Sequence, residues 1–261
     1  MRETAVDRVV QTLREDILTG RYRAGDRLRS ERELAEQLGV GRGVVREALR
    51  VLAQLGLVEI SPGGARVGRL DHASLDVLGH LLDLDRVPDA ELVDQVLEVH
   101  AHLFSSCVRI AVMRGSDAQL DAVREHLAAI QREPLDSARY LAHLHGMVAG
   151  LVEASGNFVL RLMSRALQVQ FWDRLEAQQD IALRMPQQQL LPLAKRLDHA
   201  LALRDAPAAA EAVFELMALH RERVVKLLSS EQTHSLRSQV TRHLGHLLDP
   251  VGSTPDRGAE G

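Results

Sequence analysis

Apolar residues in the first part of the chain recur with helical spacing. Val6, Val9, Val10, Leu13, Ile17 and Leu18 fall at i, i+3, i+4 and i+7 intervals, predicting an amphipathic helix over residues 5–19 that stops at Gly20. Gly25-Asp26 is a turn signal. In Ser30-Glu31-Arg32-Glu33, an N-cap serine precedes an acid by three residues, as in a capping box. The short helix that follows carries Leu34 and Leu38 and ends at Gly39. After Val40-Gly41-Arg42-Gly43, a third helix runs from about Gly43 to Leu55 with Val45, Leu49 and Leu52 inward, and ends at Gly56. Leu57-Val58-Glu59-Ile60 alternates as a half-buried strand does, Ser61-Pro62-Gly63-Gly64 is a tight turn, and Ala65-Arg66-Val67-Gly68 returns as a second strand. Helix, short helix, turn, helix and hairpin, in that order, make a winged helix-turn-helix.

Beyond residue 70 the strand signals cease. Residues 71–88 read as a helix-bearing linker with Leu75, Leu78, Leu81 and Leu82 on one side, ending at Pro88. Helical patterns follow over about 91–113, 117–132, 136–154, 157–178, 187–204 and 208–229, and residues 231–248 offer a further one. Six or seven helices of this length form a bundle with its own core. The expected division is a winged helix-turn-helix domain over 1–70, a helical linker over 71–88, a helical bundle domain over 89–232, and a partly disordered extension over 233–261. The fold class is an α+β head on an otherwise all-α chain.

Composition narrows the class. The chain has 261 residues, of which 46% are hydrophobic and 26% charged, which suits a globular protein rather than a disordered one. Cys107 is the single cysteine, so no intramolecular disulfide and no Cys-rich zinc motif is available. No uninterrupted apolar run reaches the roughly 18–20 residues of a membrane span, and the N-terminus lacks the apolar stretch of a signal peptide. A cytoplasmic protein without a membrane partner is expected. The net charge of −4 argues, on average, against nucleic acid. The average conceals a split: residues 1–70 hold thirteen arginines, no lysine and ten acids, a charge of +3, leaving −7 for the remainder. A basic head on an acidic body points to two domains with different partners.

In a helix-turn-helix the second helix enters the major groove by its N-terminal end. Here that end is Gly41-Arg42-Gly43-Val44-Val45-Arg46. Arg42 and Arg46 lie four residues apart and share a face, which Arg50 continues. An arginine fork can bridge O6 and N7 of guanine. Gly41 and Gly43 allow close approach of a phosphate to a helix N-terminus. Arg32 suits a backbone phosphate or a base edge, and the hairpin tip Gly63-Gly64 with Arg66 suits the adjacent minor groove. The competing reading is a solvated face in which these arginines pair with Glu31, Glu33 and Glu47.

Three strings carry a family likeness: Leu28-Arg29-Ser30-Glu31-Arg32-Glu33-Leu34-Ala35, Gly39-Val40-Gly41-Arg42, and Val45-Arg46-Glu47-Ala48-Leu49. Together they resemble the GntR family of bacterial transcription regulators, over essentially all of residues 5–70. The resemblance implies operator contact by Arg32, Arg42 and Arg46. The chain departs from that family at Gly41, Gly43 and Val44, where relatives often carry Ser or Thr, and at Pro62 in the wing tip.

The all-helical second part resembles the FadR subfamily, through Leu92–His100 as its first bundle helix and Ala154-Ser155-Gly156-Asn157 as its helix-ending signature. That resemblance implies a homodimer whose bundle binds a small acidic metabolite, a fatty acyl-CoA or another carboxylate, and alters the spacing of two DNA-reading heads. Many of these relatives hold a metal with one Asp and three His. The first pair of positions falls here on Leu144 and Val148, which cannot bind metal, leaving His143, His145, His199 and His220 nearby in sequence. No metal and no cofactor is expected. A metal-assisted carboxylate sensor is the alternative.

The effector candidates are His100, Asn157, Trp172 and His220. His100 is either a carboxylate contact or a polar core histidine. Phe104, Phe158 and Phe171 join Trp172 as candidates for an acyl tunnel or for plain core. No Ser-His-Asp order, Gly-rich phosphate loop or di-carboxylate metal pattern stands out, so an enzyme with a DNA-binding head is disfavoured and no catalytic residue is assigned. An architectural DNA binder without an effector is the remaining alternative.

Overall fold

In the computed structural model, which describes residues 4–84, 88–132, 137–174 and 187–232, Thr4 opens the first helix. Its hydroxyl accepts the Asp7 amide at 3.1 Å and the Asp7 carboxylate accepts the Thr4 amide at 2.9 Å. Helix α1 (Ala5–Leu18) buries Val9, Val10, Leu13, Ile17 and Leu18. The capping box at Ser30 and Glu33 starts α2 (Glu31–Leu38), and Gly39 closes it in the left-handed region. Helix α3 (Arg42–Gln54) buries Val45, Ala48, Leu49 and Leu52 and packs on α1 and α2. Each large apolar side chain buried this completely contributes roughly 1.5–3 kcal/mol before entropy is counted.

The hairpin pairs β1 (Val58–Ser61) with β2 (Gly64–Val67), antiparallel, with Val58 opposite Val67 and Ser61 opposite Gly64. The strands sit one residue away from the expected ones, β1 later and β2 earlier, although the Gly68 amide still donates to the Leu57 carbonyl. The expected in-out alternation fails at Ile60, which is 54% exposed. Gly64 takes φ +110°, a conformation closed to most side chains. A third segment lies along the hairpin: Leu28 donates to Ala65, Val67 donates to Asp26, and Gly25 donates to Val67.

Residues after the hairpin stay packed on this unit. A 3-10 turn over Leu70–His72 leads to α4 (Val77–Leu82), the Ser74 amide bonds the Leu55 carbonyl, and Arg14 meets His80 at 3.3 Å. Leu78, Leu81 and Leu82 are buried as expected, whereas Leu75 precedes the helix and is exposed.

The second unit takes in the described residues from 88 onward. Its helices are α5 (Ala90–Arg114), α6 (Asp117–Arg132), α7 (Ser137–Ala154), α8 (Phe158–Leu167), α9 (Gln187–Ala202) and α10 (Ala206–Gln232). Helices α5 and α10 pack along each other, α6 packs on α7 and α9, and α9 on α10. One core joins Phe104, Val108, Leu127, Met147, Leu151, Leu197 and Val213. Helix α5 is long and apolar enough to cross a membrane by length and composition, but its apolar side faces this core. Arg204, at φ +53°, ties the corners of the bundle by donating to the Val112 and Gly115 carbonyls and to Asp117.

One detail differs from expectation. Helix α8 does not run on as a regular α-helix: a π-helical turn, Gln168–Trp172, follows it and turns Phe171 into the interior. The end of the pattern at 178, the helix proposed over 231–248 and the extension over 233–261 lie wholly or largely outside the described residues.

Candidate nucleic-acid interface and the bundle interior

The middle of α3, the start of α2 and the wing enclose an open groove of about 520 Å³, which Arg42 at the start of α3 does not line. Its lining includes Arg27, Arg29, Arg46, Arg50, Glu31 and the wing tip Gly63-Gly64. Gly41 caps α3 without any side-chain hydrogen bond, and no acid stands in the first turn, so the partial positive charge of the helix end is uncompensated there. A methyl group placed on Gly41 or Gly43 would meet nothing within 4 Å, so the protein itself does not require glycine at either position. Arg32 and Arg42 are exposed, and neither has an ion pair among the described residues.

Arg46 is paired. Its Nε lies 3.2 Å from both Glu31 carboxylate oxygens and its Nη2 2.9 Å from Oε2. The hydrogen bond from Arg46 holds the Glu31 carboxyl below its ordinary range, and the charges of Arg42 and Arg50 act in the same direction. Arg50 pairs with Glu47 at 2.7 Å. The solvated-face reading is therefore accurate for Arg46 and Arg50 in the DNA-free chain. Both remain exposed on the groove, and exposed pairs of this kind exchange partners at little cost.

The wing differs from its expected form at Arg66. This side chain does not extend from the tip: its Nη1 donates to the Gly25 carbonyl at 2.9 Å and holds residues 25–28 against the hairpin. Arg27 takes the tip instead, its guanidinium 3.5 Å from the position of a Cβ on Gly64. Arg27 and Arg29 were not singled out in the sequence. The Arg27–Arg66 bridge that places Arg27 joins residues far apart in sequence and has no local signature.

Inside the bundle, His100 of α5, Trp172 of the π turn and His220 of α10 come together. The His100 ring stacks on Phe104 at 5.7 Å and meets the Trp172 ring edge-on at 5.3 Å; Trp172 lies 6.0 Å from His220 and 5.0 Å from Phe171. Burial pushes both imidazoles down to about 4, and for His220 the charges of His100 and Arg223 add to it. Both rings are thus neutral at pH 7. His100 Nδ1 and Arg223 Nε are buried without a hydrogen-bond partner among the described residues. Buried polar atoms are rarely left so, and a site for a polar ligand group is one common reason. Beside this group Arg221 grips Asp94 with both arms and reaches Glu98, joining α10 to α5 and holding the Asp94 carboxyl below its ordinary range.

The other candidates lie elsewhere. Asn157 does not join the cluster: its side-chain oxygen accepts the Val159 and Leu160 amides at 3.0 and 3.2 Å and caps α8. The preceding Gly156 turns the chain at φ +59°, and Ser155, fully buried, bonds the Val152 carbonyl at 2.6 Å and receives the Asn157 amide. The Ala-Ser-Gly-Asn string is thus a helix stop and restart. Phe158 faces solvent and lines no interior, because it lies on the outer side of α8, whereas Phe104 and Phe171 are buried. His143 pairs with His126 at 3.1 Å, His145 lines a groove between α7 and α8, and His199 is exposed. No three metal-ligating side chains converge among the described residues. Cys107 is buried, and burial raises its thiol to about 11.

Residues 5–67 match the family described as bacterial regulatory proteins, gntR family, and residues 95–219 match the FCD domain. The HTH-type transcriptional regulator Mce2R of Mycobacterium tuberculosis is 33% identical over 178 residues, covering 67% of this chain and 74% of the relative. A fatty acid metabolism regulator protein of Yersinia enterocolitica is 31% identical over 155 residues, covering 59% of this chain and 63% of the relative. Among solved structures, Lar of Listeria monocytogenes superposes with a TM-score of 0.51 at 18% identity, over 87% of this chain and 99% of that one, a likeness of fold.

Proposed function

The chain belongs to the gntR family of bacterial regulatory proteins and is a DNA-binding transcriptional regulator with an FCD domain, and from that premise we propose how its parts are used. The head reads operator double-stranded DNA in the major groove through Arg42 and Arg46 at the start of α3. Arg32 and the open amides at Gly41 and Gly43 take backbone phosphate, and the wing tip Gly63-Gly64 follows the adjacent groove with Arg27 beside it. Arg66 supports the wing from behind. The observation that carries this reading is the single groove shared by Arg27, Arg29, Arg46, Arg50 and the wing. The protein acts as a homodimer, because operator half-sites repeat with two-fold symmetry.

The bundle binds a small acidic metabolite, a fatty acyl-CoA or a related lipid-derived ligand, next to His100, Trp172 and His220. Neutral imidazoles and the unpaired Arg223 Nε offer hydrogen bonds to a carboxyl or thioester oxygen, and Phe104, Phe171 and Trp172 supply an apolar wall. The naming of relatives as fatty acid metabolism regulators supports the lipid-derived class. Asn157 contributes by fixing the start of α8, which leads into the π-helical turn of Trp172. Ligand then favours one arrangement of the dimer and shifts its operator affinity.

Native mass spectrometry of the purified protein tests both parts together. A dimer mass carrying an acyl-CoA or fatty acid, lost in the His100→Phe variant, is expected. A chain that retains no organic ligand and takes up none from a panel of long-chain acyl-CoAs and fatty acids would remove the effector half of the reading.

A further inference from the structure

Ile60 is the exposed member of an otherwise buried face. On β1 alternate residues share a side, so Ile60 lies on the face of Val58, across from Ala65 of β2. Val58 and Val67 are 2% exposed and Ala65 8%, whereas Ile60 is 54% exposed. Its side chain belongs to the inner face of the hairpin but extends past the edge of the head's core. There it meets the groove between the middle of α3, the start of α2 and the wing, which Ile60 and Pro62 both line.

Four guanidiniums line the same groove, those of Arg27, Arg29, Arg46 and Arg50, against one acid among the described residues, Glu31. Arg29 donates to the Gln37 side-chain oxygen, a neutral partner, at 2.7 Å. The groove therefore carries a surplus of positive charge around an exposed apolar side chain. A single exposed isoleucine needs no explanation by itself. One set among four arginines asks for an occupant that is anionic and carries carbon surface between its charges. A sugar–phosphate strand is such an occupant.

Duplex geometry leads to the same strand. Neighbouring grooves of a duplex are separated by one backbone. In the proposed reading α3 enters the major groove and the wing follows the adjacent one, so the backbone between them crosses the space between α3 and the wing, which is this groove. We propose that Ile60 is a DNA contact that packs on the deoxyribose carbons of that strand while the arginines take its phosphates. This deepens the reading of the groove as a DNA surface and rests on it. Contacts with sugar carry no base identity, and covering carbon releases no counterion. Ile60 thus adds affinity that is alike for all sequences and independent of salt, unlike the arginines around it.

The test is fluorescence anisotropy of the full chain on a panel of labelled duplexes of differing sequence, as a function of salt, for wild type, Ile60→Val, Ile60→Ala and Arg50→Ala. Affinity is expected to fall from wild type through Ile60→Val to Ile60→Ala, by roughly fivefold for the alanine variant, with the slope of log affinity against log salt unchanged. Arg50→Ala is expected to reduce that slope by about one. Unchanged affinity in Ile60→Ala, or a reduced slope, overturns the proposal. So does a loss confined to duplexes with one base at one position, which would make Ile60 a base reader. If duplex affinity ignores Ile60 while binding to poly-glutamate depends on it, the groove belongs to an acidic polypeptide and the proposal falls. A wild type that binds no duplex, or arginine variants that leave the slope untouched, strikes the DNA reading of the groove itself and the proposal with it. Thermal melts establish that each variant is folded. Should Ile60→Ala not fold, Ile60→Thr, β-branched and of valine's shape, replaces it, and an affinity equal to wild type overturns the proposal.

Discussion

Glu31 holds the guanidinium of Arg46 across the gap between α2 and α3, Nη2 to Oε2 at 2.9 Å. In the proposed reading, this guanidinium is occupied by an internal anion until a guanine edge or a phosphate displaces it. Glu31→Gln removes that competitor and a negative charge from the groove, so it raises affinity for operator and for random duplex several-fold. If Arg46 makes the proposed two-pronged base contact, worth about 1–3 kcal/mol, Arg46→Ala lowers specific binding roughly 5- to 150-fold. Neither change moves stability by more than about 0.5 kcal/mol, because the pair is exposed. Fluorescence anisotropy with labelled duplexes and thermal melts measure the two effects separately.

Arg27 and Arg66 divide the work of the wing. Arg27→Ala removes the cation beside Gly64, weakens binding to all sequences and reduces the salt slope by about one unit. Arg66→Ala frees the Gly25 carbonyl and loosens the wing, so its first effect is faster amide exchange in residues 25–28 and 64–67. Hydrogen exchange and salt titrations distinguish the two variants; the reverse assignment would show the salt effect in Arg66→Ala alone.

Stability depends on pH through His100 and His220. Both are lowered in the folded chain from an unfolded value near 6.5 to about 4. Above pH 6.5 neither state is protonated, and the fold keeps its full stability. As pH falls from 6.5 towards 4 the unfolded chain takes up protons the folded chain refuses, so stability drops, by about 3 kcal/mol per histidine at most. Asp94 acts in the same direction but lower, below the ordinary carboxylate range. Thermal melts from pH 7.5 to 4.5 should show this decline, and His100→Phe with His220→Phe should flatten it. An unchanged slope in the double variant would mean that other groups carry the effect.

Asn157 acts through α8. Asn157→Ala leaves two amides uncapped and costs about 0.5–2 kcal/mol of stability, whereas Asn157→Asp keeps the cap and the stability. Ligand affinity follows the same order, since the cap fixes the helix leading to Trp172. Denaturant melts and ligand titrations on both variants check it; a large affinity loss in a stable Asn157→Asp would make Asn157 a direct contact.

The head was legible because its signals are local. Ser30 and Glu33 are three residues apart, Gly39 stops α2 where a left-handed residue is needed, and Gly63-Gly64 sits between two short alternating runs. What could not be read depends on distant partners. Arg27 reaches the wing tip only because it bridges to Arg66, and Arg66 is withdrawn from the tip by Gly25. In the bundle, periodicity located α8 and its apolar residues but carries no information on which side faces the core. Phe158, a candidate for tunnel or plain core, is thus neither. His100 and His220, 120 positions apart, meet because α5 packs along α10, while Asn157 spends its side chain on a cap that its neighbours Ser155 and Gly156 already foreshadow.

Selection of duplexes from a random library by the wild-type chain, with Arg46→Ala in parallel, tests the central claim most directly. The account predicts that wild type enriches a sequence with two-fold symmetry, while Arg46→Ala enriches none and keeps only salt-sensitive binding. Enrichment of the same sequence by Arg46→Ala, or of no sequence by wild type, would contradict it.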